Sequence, residues 1–439
     1  MKIALVSSRQ DPGGCTIHEA VTALLSQDVD RPYPLESHAL EVVQVEDRLI
    51  FQDNLDRSLD ADLVIFLSRH SSVNPLPVLT VHVTGNLGEA AFGGRPGSLA
   101  PAAPAWMHAV LRQLKVRAPP GYRVAYEVTH HGPTELSIPS LFVEVGSTER
   151  EWRDGAAGQS AALSVLHAAP RNNEIPLIGF GGTHYAARQT HIALSSRAAF
   201  GHIAHSREVP SLDTAMITRM KEKTGAVAAY IDRKSLPGTS VSALEEMLAS
   251  TGTPVVSEGD LLCLGALLWP QYLSVVALAR EKVPGGTVHL GREVPGGEPF
   301  TMEIDPVLLE EAWKTGPKEL VKGLDGLPII WISGPKKAVY PVFITIRENC
   351  TRLRHDLISL CVYILRRGNN TAIAGEHLIV RRRKFDPDRA RELGVPQGPL
   401  FGMLMSGSPV QAGGQVITPE MVQTCTETRI HIPGLEKYL

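Results

Sequence analysis

Cysteine is scarce in this chain and nowhere arranged for a structural role. Cys15, Cys263, Cys350, Cys361 and Cys425 form no Cys-x-x-Cys pair, and an odd count argues against a disulfide framework. A reducing compartment is therefore expected, and a cysteine-type zinc site is not. Aromatic residues are only 5% of the chain. Charge of one sign is lacking too. A formal net charge of −3 gives no global basic signature, so any nucleic-acid contact must come from a local patch. The one membrane-like run, Leu261 to Ala279, contains Pro270 and Gln271 and ends in Arg280-Glu281-Lys282, which reads as a buried core helix. The N-terminus has neither the apolar core nor the cleavage site of a signal peptide. The H-E-x-x-H helix pattern and the G-x-S-x-G elbow are absent, which removes the familiar zinc-protease and serine-hydrolase signatures.

What the chain does have is length and a clear alternation. Its 439 residues exceed one ordinary core and predict two or three domains. Repeated strand–loop–helix segments up to residue 262 predict an α/β domain with a mixed or mostly parallel sheet flanked by helices. Helices are expected from about Cys15, over Ala102–Lys115, from Glu149 on through Gly155–Leu166, and over Ser240–Ser250. Residues 263–439 change texture and read as an α+β extension, with a helix over Leu308–Lys322. Arginines concentrate there, Arg381, Arg382, Arg383 and Lys384 among them, as phosphate contact or a salt-bridged surface would require.

The densest chemistry lies in Thr129-His130-His131-Gly132-Pro133-Thr134-Glu135, after the strand-like run 122–128. Seven of the 16 histidines fall between His130 and His205. Other apolar strands end in Ser68-Arg69-His70, His82-Val83-Thr84-Gly85-Asn86 and Gly181-Gly182-Thr183-His184-Tyr185, and a short strand carries His202. Glu144 stands inside the apolar run 141–145, a costly place for a carboxylate unless it meets a cation, a metal or a proton donor. These strand ends are expected to converge on one site at the carboxyl edge of a sheet. Imidazoles and carboxylates suit a catalytic zinc with three protein ligands and a water. The metal-free alternative uses a histidine base, with backbone N–H groups near Gly181-Gly182 or Gly132 holding the oxyanion. His167, His191 and His205 read as surface or structural.

Taken in order, the motifs around His70, His82, His130-His131, Glu144 with Glu151-Trp152, His184 and His202 resemble the archaeal and plant type of D-aminoacyl-tRNA deacylase over about residues 1–260. The resemblance implies zinc-dependent hydrolysis of the ester joining a D-amino acid to the 3′ end of tRNA, in translation quality control. It also implies a fold akin to phosphorylase and peptidyl-tRNA hydrolase. On it, His130, His131, Glu135, Glu144, His184 and His202 are catalytic candidates. Arg69, His70, Thr84, Asn86, Gly181, Gly182 and Tyr185 are substrate-binding candidates, and the metal ligands are a subset of His82, His130, His131, Glu144 and His184. Residues 385–420 resemble a segment of the tRNA 3′-processing endonuclease of the metallo-β-lactamase class, without its H-x-H-x-D-H motif. A non-catalytic, tRNA-adjacent role is expected for 263–439, with residues 381–384 contacting RNA. A cytoplasmic monomer or homodimer is expected. The rival functions are a zinc peptidase or amidase on small substrates and a non-catalytic RNA-binding protein.

Overall fold

The computed structural model describes residues 1–26, 38–265, 267–334, 338–368 and 370–439. The chain divides into two compact units, residues 1–262 and 263–439. In the first, the elements run β1 (Lys2–Ser8), α1 (Pro12–Ser26), β2 (Ala39–Val45), β3 (Leu63–Arg69), β4 (Val78–His82), α2 (Pro104–Arg117), β5 (Arg123–Tyr126), β6 (Ser140–Gly146), α3 (Glu149–Trp152), α4 (Gly155–Leu166), β7 (Ile175–Phe180), α5 (Ala187–Ser195), β8 (Ala198–Ala204), α6 (Thr214–Thr224), β9 (Ala228–Ile231) and α7 (Gly238–Ser250). A six-stranded sheet has the order β2-β1-β3-β6-β4-β5, and a three-stranded parallel sheet the order β8-β7-β9. The α/β class with a mixed sheet matches expectation.

The direction of two strands does not. β1, β2, β3 and β6 run parallel, but β4 is antiparallel to β6, and β5 follows β4. The carboxyl ends of β4 and β5 therefore lie away from those of β3 and β6, and convergence cannot arise at a single sheet edge. It arises on a sheet face. Side chains alternate along a strand, so the register Ser68↔Glu144↔Thr80, with Phe142 opposite His82, puts Phe66, Ser68, Thr80, His82, Phe142 and Glu144 on one side. Phe66, Phe142 and His82 stack along it, with ring centroids 4.6 and 5.3 Å apart. Beyond β5 the chain leaves the sheet. Val128 N–H donates to the His184 carbonyl and Thr129 N–H to that of Ile203, which ties the histidine doublet to the ends of β7 and β8.

Helix starts follow local chemistry. α1 begins at Pro12 rather than near Cys15, because proline suits a first helical turn and Asp11 Oδ1 accepts the Gly14 N–H at 2.8 Å. The helix expected from Glu149 to Leu166 is two. Thr148 and Glu151 form a capping box on α3, and Asp154 Oδ1 accepts the Ala156 N–H to start α4. α1 and α4 cross closely at Gly158, where a Cβ would come within 2.6 Å of Thr16 Cγ2.

The first unit ends within α8 (Glu258–Cys263), and the second holds α9 (Trp269–Lys282), β10 (Thr287–Leu290), β11 (Pro299–Glu303), α10 (Pro306–Thr315), α11 (Pro317–Asp325), β12 (Ile330–Ser333), β13 (Val339–Ile346), α12 (Cys350–Arg367), β14 (Thr371–Ala374), β15 (His377–Phe385), α13 (Pro387–Glu392), α14 (Pro399–Met405), β16 (Val410–Ala412), β17 (Gln415–Ile417) and β18 (Gln423–His431). Its sheets, β10-β12-β13-β11, β14-β15-β18 and β16-β17, are antiparallel throughout. The helix expected over Leu308–Lys322 breaks at Gly316-Pro317, since proline cannot donate inside a helix but fits the first turn of the next. The run Leu261–Ala279 likewise splits into α8 and α9, with Pro270 near the start of α9 and residue 266 outside the described set. No helix among the described residues is long and apolar enough to cross a membrane.

Candidate functional site

The face of the six-stranded sheet delivers Glu144 and His82, and the ends of β3, β5 and β7 deliver His70, Glu127 with His130-His131, and His184. Glu127 sits at the centre. One carboxylate oxygen lies 3.0 Å from His70 Nδ1, and the other lies 2.9 Å from His184 Nε2 and 3.4 Å from His130 Nε2. Glu144 lies 3.5 Å from His70 Nδ1 and 3.7 Å from His82 Nε2. Both carboxylates are buried. His70 is fixed through its backbone, whose carbonyl accepts from the Trp152 indole at 2.7 Å. Gly146 makes room for it, because a Cβ there would approach the His70 Cβ to 2.6 Å.

The histidines are oriented by the main chain. Nδ1 of His82, His130 and His131 lies 3.3, 2.8 and 2.6 Å from the carbonyls of Val83, Val128 and Gly132 respectively. A carbonyl only accepts, so each Nδ1 carries a proton, and in the neutral ring Nε2 is then the lone-pair nitrogen. This is the arrangement by which metal-ligating histidines are normally held.

Electrostatics divides four of the rings into two pairs. Burial, then the neighbouring imidazoles, holds His130 well below the usual histidine range, and burial with His82 pushes His131 down to about 3. Those two rings are neutral, the form that binds metals. Burial also disfavours charge on His70 and His82, but the carboxylates outweigh it. Glu127 and Glu144 push His70 up to about 11, and Glu144 raises His82. Burial would raise Glu127 and Glu144, yet the facing histidines hold both below the carboxylate range. Two buried carboxylates thus demand positive charge, whether protons on imidazole or a cation.

The donor set fits a metal. Buried Nε2 atoms of His82 and His184 and both Glu127 oxygens lack a well-aligned hydrogen-bond partner, which is costly unless something else meets them. Ligand atoms of His82, His130 and His131 lie within 4.8 Å of one another, as do those of His70, Glu127 and His184, and those of His82, Glu127 and Glu144. A cavity of about 550 Å³ opens on His70, His130, His131, Glu144 and His184, walled by Leu49, Ile50, Phe92 and Arg69. The Arg69 guanidinium stacks 4.8 Å from the Trp152 ring, and its backbone N–H donates to Asp11.

Several expected site residues stand elsewhere. Glu135 accepts from the Ser98 hydroxyl and faces Arg95, outside the cluster. His202 has both ring nitrogens engaged, with Thr129 Oγ1 at 3.1 Å and the Ala100 carbonyl at 3.0 Å. Thr84 donates to the Pro133 carbonyl and Asn86 to those of Gly93 and Arg95, so both brace the loop instead of meeting a ligand. The metal-free oxyanion hole fails on the same count. The Gly181 N–H donates to the Ala204 carbonyl, that of Gly182 to Ser206 and Ser235, and that of Gly132 to the Phe92 carbonyl. Tyr185 does reach the site, its hydroxyl 3.2 Å from His70 Nε2. His70, read as a substrate contact, lies inside the cluster. Glu127 was missed. Its signal was a carboxylate inside the apolar run Tyr126-Glu127-Val128, the same feature that marks Glu144.

In the second unit, Arg382 on β15 is tied to Glu311, with Nε 2.6 Å from a carboxylate oxygen, and donates to Thr315. Arg381 pairs with Glu427 at 3.2 Å. Of the four basic candidates, Arg382 has its guanidinium occupied, whereas Arg383 and Lys384 are exposed.

Comparison with known proteins adds a family. A model described as D-aminoacyl-tRNA deacylase matches residues 57–256. The D-aminoacyl-tRNA deacylase of Methanoculleus marisnigri is 49% identical over 439 residues, spanning all of both chains, and that of Methanoregula boonei is 48% identical over the same length. The one from Methanosarcina mazei is 43% identical over 230 residues, which is 50% of this chain and 77% of its own. A crystal structure of a conserved protein of unknown function superposes with a TM-score of 0.55 at 32% identity, covering 60% of this chain and 96% of that one.

Proposed function

This chain belongs to the D-aminoacyl-tRNA deacylase family, and on that premise we propose that its His/Glu cluster hydrolyses the ester of D-aminoacyl-tRNA with the help of a zinc ion. The observation that carries the reading is the buried, unmatched Nε2 of His82, within 4.8 Å of the His130 and His131 ligand atoms, beside a cavity large enough for an aminoacyl group. His82, His130 and His131, with Glu144 beside them, would hold the metal, their Nδ1 protons parked on backbone carbonyls. So held, a zinc ion would supply a water of near-neutral pKa and would polarise the ester carbonyl.

The remaining roles belong to the chain. Glu127, held ionised by His70 and His184, is the base that takes the proton from the attacking water. Cleavage leaves a ribose alkoxide that needs a proton. His184, half-exposed on the cavity wall and 2.9 Å from Glu127, is placed to return it. Tyr185 and Trp152 fix His70, and His70 fixes the free edge of Glu127. Leu49, Ile50 and Phe92 form the apolar wall that receives the amino-acid side chain. Selection of the D-enantiomer rests on shape at the α-carbon, because both enantiomers carry the same groups. Clearing D-amino acids from tRNA is a cytoplasmic quality-control task, and that is the role assigned here.

The test is hydrolysis of D- and L-aminoacyl-tRNA before and after rigorous metal removal, with metal content read by elemental analysis. Zinc-dependent turnover of the D-ester alone is expected. Equal turnover of both enantiomers removes the chirality claim, and full activity without metal removes the zinc.

A further inference from the structure

A second cavity in the first unit, about 810 Å³, is larger than the one over the His/Glu cluster and differs from it in charge. Arg112, Lys115, Arg123 and Arg171 line it, and no carboxylate does. In a chain of net charge −3, four cations around one space are a local positive concentration that attracts an anion. Two details at Arg112, the most buried of the four, point the same way. Arg112 Nε is buried without a hydrogen-bond partner. Burial, and then the neighbouring Arg171, weakens the hold of Arg112 on its proton, although Glu174 lies 3.4 Å behind it.

The cavity also connects to the chemistry. Tyr185 lines it and places its hydroxyl 3.2 Å from Nε2 of His70, which lines the other cavity, so one side chain reaches from this space to the cluster. The aminoacyl ester must reach the cluster while the nucleic acid carrying it stays outside. A polyanion leading away from the ester would pass the Tyr185 side.

We propose that this cavity binds the phosphodiester backbone of the nucleotides next to the esterified end of the RNA substrate. The inference rests on the deacylase reading for the identity of the RNA. Its chemistry is that of single-strand recognition, in which a cationic groove follows the phosphates and an aromatic ring gives a base something to stack on. Guanidinium groups suit the task because their forked donors match phosphate oxygens.

The experiment uses full-length protein and deacylated tRNA, so binding is read without catalysis. Lys115 and Arg123 are exposed, which makes Lys115→Glu/Arg123→Glu the variant of choice, with Lys115→Gln/Arg123→Gln as a milder second and the melting curve of each as a fold check. Expected is a loss of tRNA affinity of roughly tenfold or more. The slope of log affinity against log salt should become shallower by about 1.4, the single-strand value for two lost phosphate contacts. KM for D-aminoacyl-tRNA should rise in step while kcat holds. Affinity within about twofold of the unaltered protein in both folded variants overturns the proposal. So does weakened binding of inorganic phosphate with unchanged tRNA affinity, which would make the cavity a small-anion site. A protein that binds tRNA as expected but hydrolyses no ester refutes the deacylase reading instead.

Discussion

His82 and His202 are both fully buried, and both lie on strands of the first unit, yet they are opposites. His202 is finished. The Ala100 carbonyl takes its Nε2–H, Thr129 meets Nδ1, and burial pushes it down to about 4, so the ring is neutral. His82 is unfinished. Its Nδ1–H rests on Val83, but Nε2 faces the Glu144 carboxylate without a partner. Burial alone therefore says nothing about function. A buried polar atom left unmatched by the protein says a good deal, because folding tolerates few of them.

The largest effect that sharpens this contrast is expected at Glu127. Glu127→Gln keeps the shape and removes the base, so deacylation should fall on the order of 10²- to 10⁴-fold, with zinc content and melting temperature held. Single-turnover hydrolysis with elemental analysis reads both, and a loss under tenfold would break the assignment of roles. Next comes His82→Ala. It should strip the metal and lower the rate by at least roughly 100-fold without recovery on added zinc, whereas chelated unaltered protein should recover. Retained zinc in that variant would mean that His70, Glu127 and His184 hold the ion instead.

The legible part of this site was the part carried by periodicity and by polar residues at strand ends. His70, His82, His130, His131, Glu144 and His184 all reach the cluster. They do not meet at the carboxyl edge that the strand ends suggest, because strand direction is a long-range property. Only the antiparallel pairing of β4 with β6 puts His82 and Glu144 on a face and not an edge, where the segments after β3, β5 and β7 bring the other four. Glu127 carries the same mark in sequence as Glu144, but its inward aim depends on a different long-range pairing, that of β5 with β4. Glu135 and His202 misled because a titratable residue near a motif looks the same in sequence whether or not the backbone has already used its hydrogen-bonding atoms. The two cavities were invisible, as each is lined from segments far apart in the chain. In the second unit Gly316-Pro317 marked a helix break that periodicity overrode.

His202 supplies the other arm of the contrast. His202→Ala should leave the rate of the folded enzyme within a few-fold and lower stability by about 2–4 kcal/mol, through a cavity and an unpaired carbonyl. Chemical denaturation measures it. The pH dependence gives the sign independently. The folded ring titrates near 4 and the unfolded one near 6.5, so the unfolded state binds more protons between these values. Stability from this group is full above pH 6.5 and is lost as pH falls toward 4, by up to about 1.4 kcal/mol per unit. His202→Gln should remove that component of the slope, and an unchanged slope would show that other groups carry it.

The smallest effects lie on β15, where neighbours in sequence fall on opposite faces. Arg382 points inward to the buried Glu311, whose carboxyl it helps hold below the usual range against the upward push of burial. Arg381 points outward to Glu427, with over half its side chain exposed. Arg382→Ala should cost about 1.5–3 kcal/mol, the range for hydrogen bonds to charged groups, and leave tRNA affinity unchanged because its guanidinium is already committed. Arg381→Ala should cost no more than about 1 kcal/mol. Denaturation and tRNA titration on the pair decide the matter. If Arg382→Ala weakens tRNA binding while the fold holds, then a satisfied cation can still serve a ligand, and the rule drawn from His82 and His202 does not extend to charged groups.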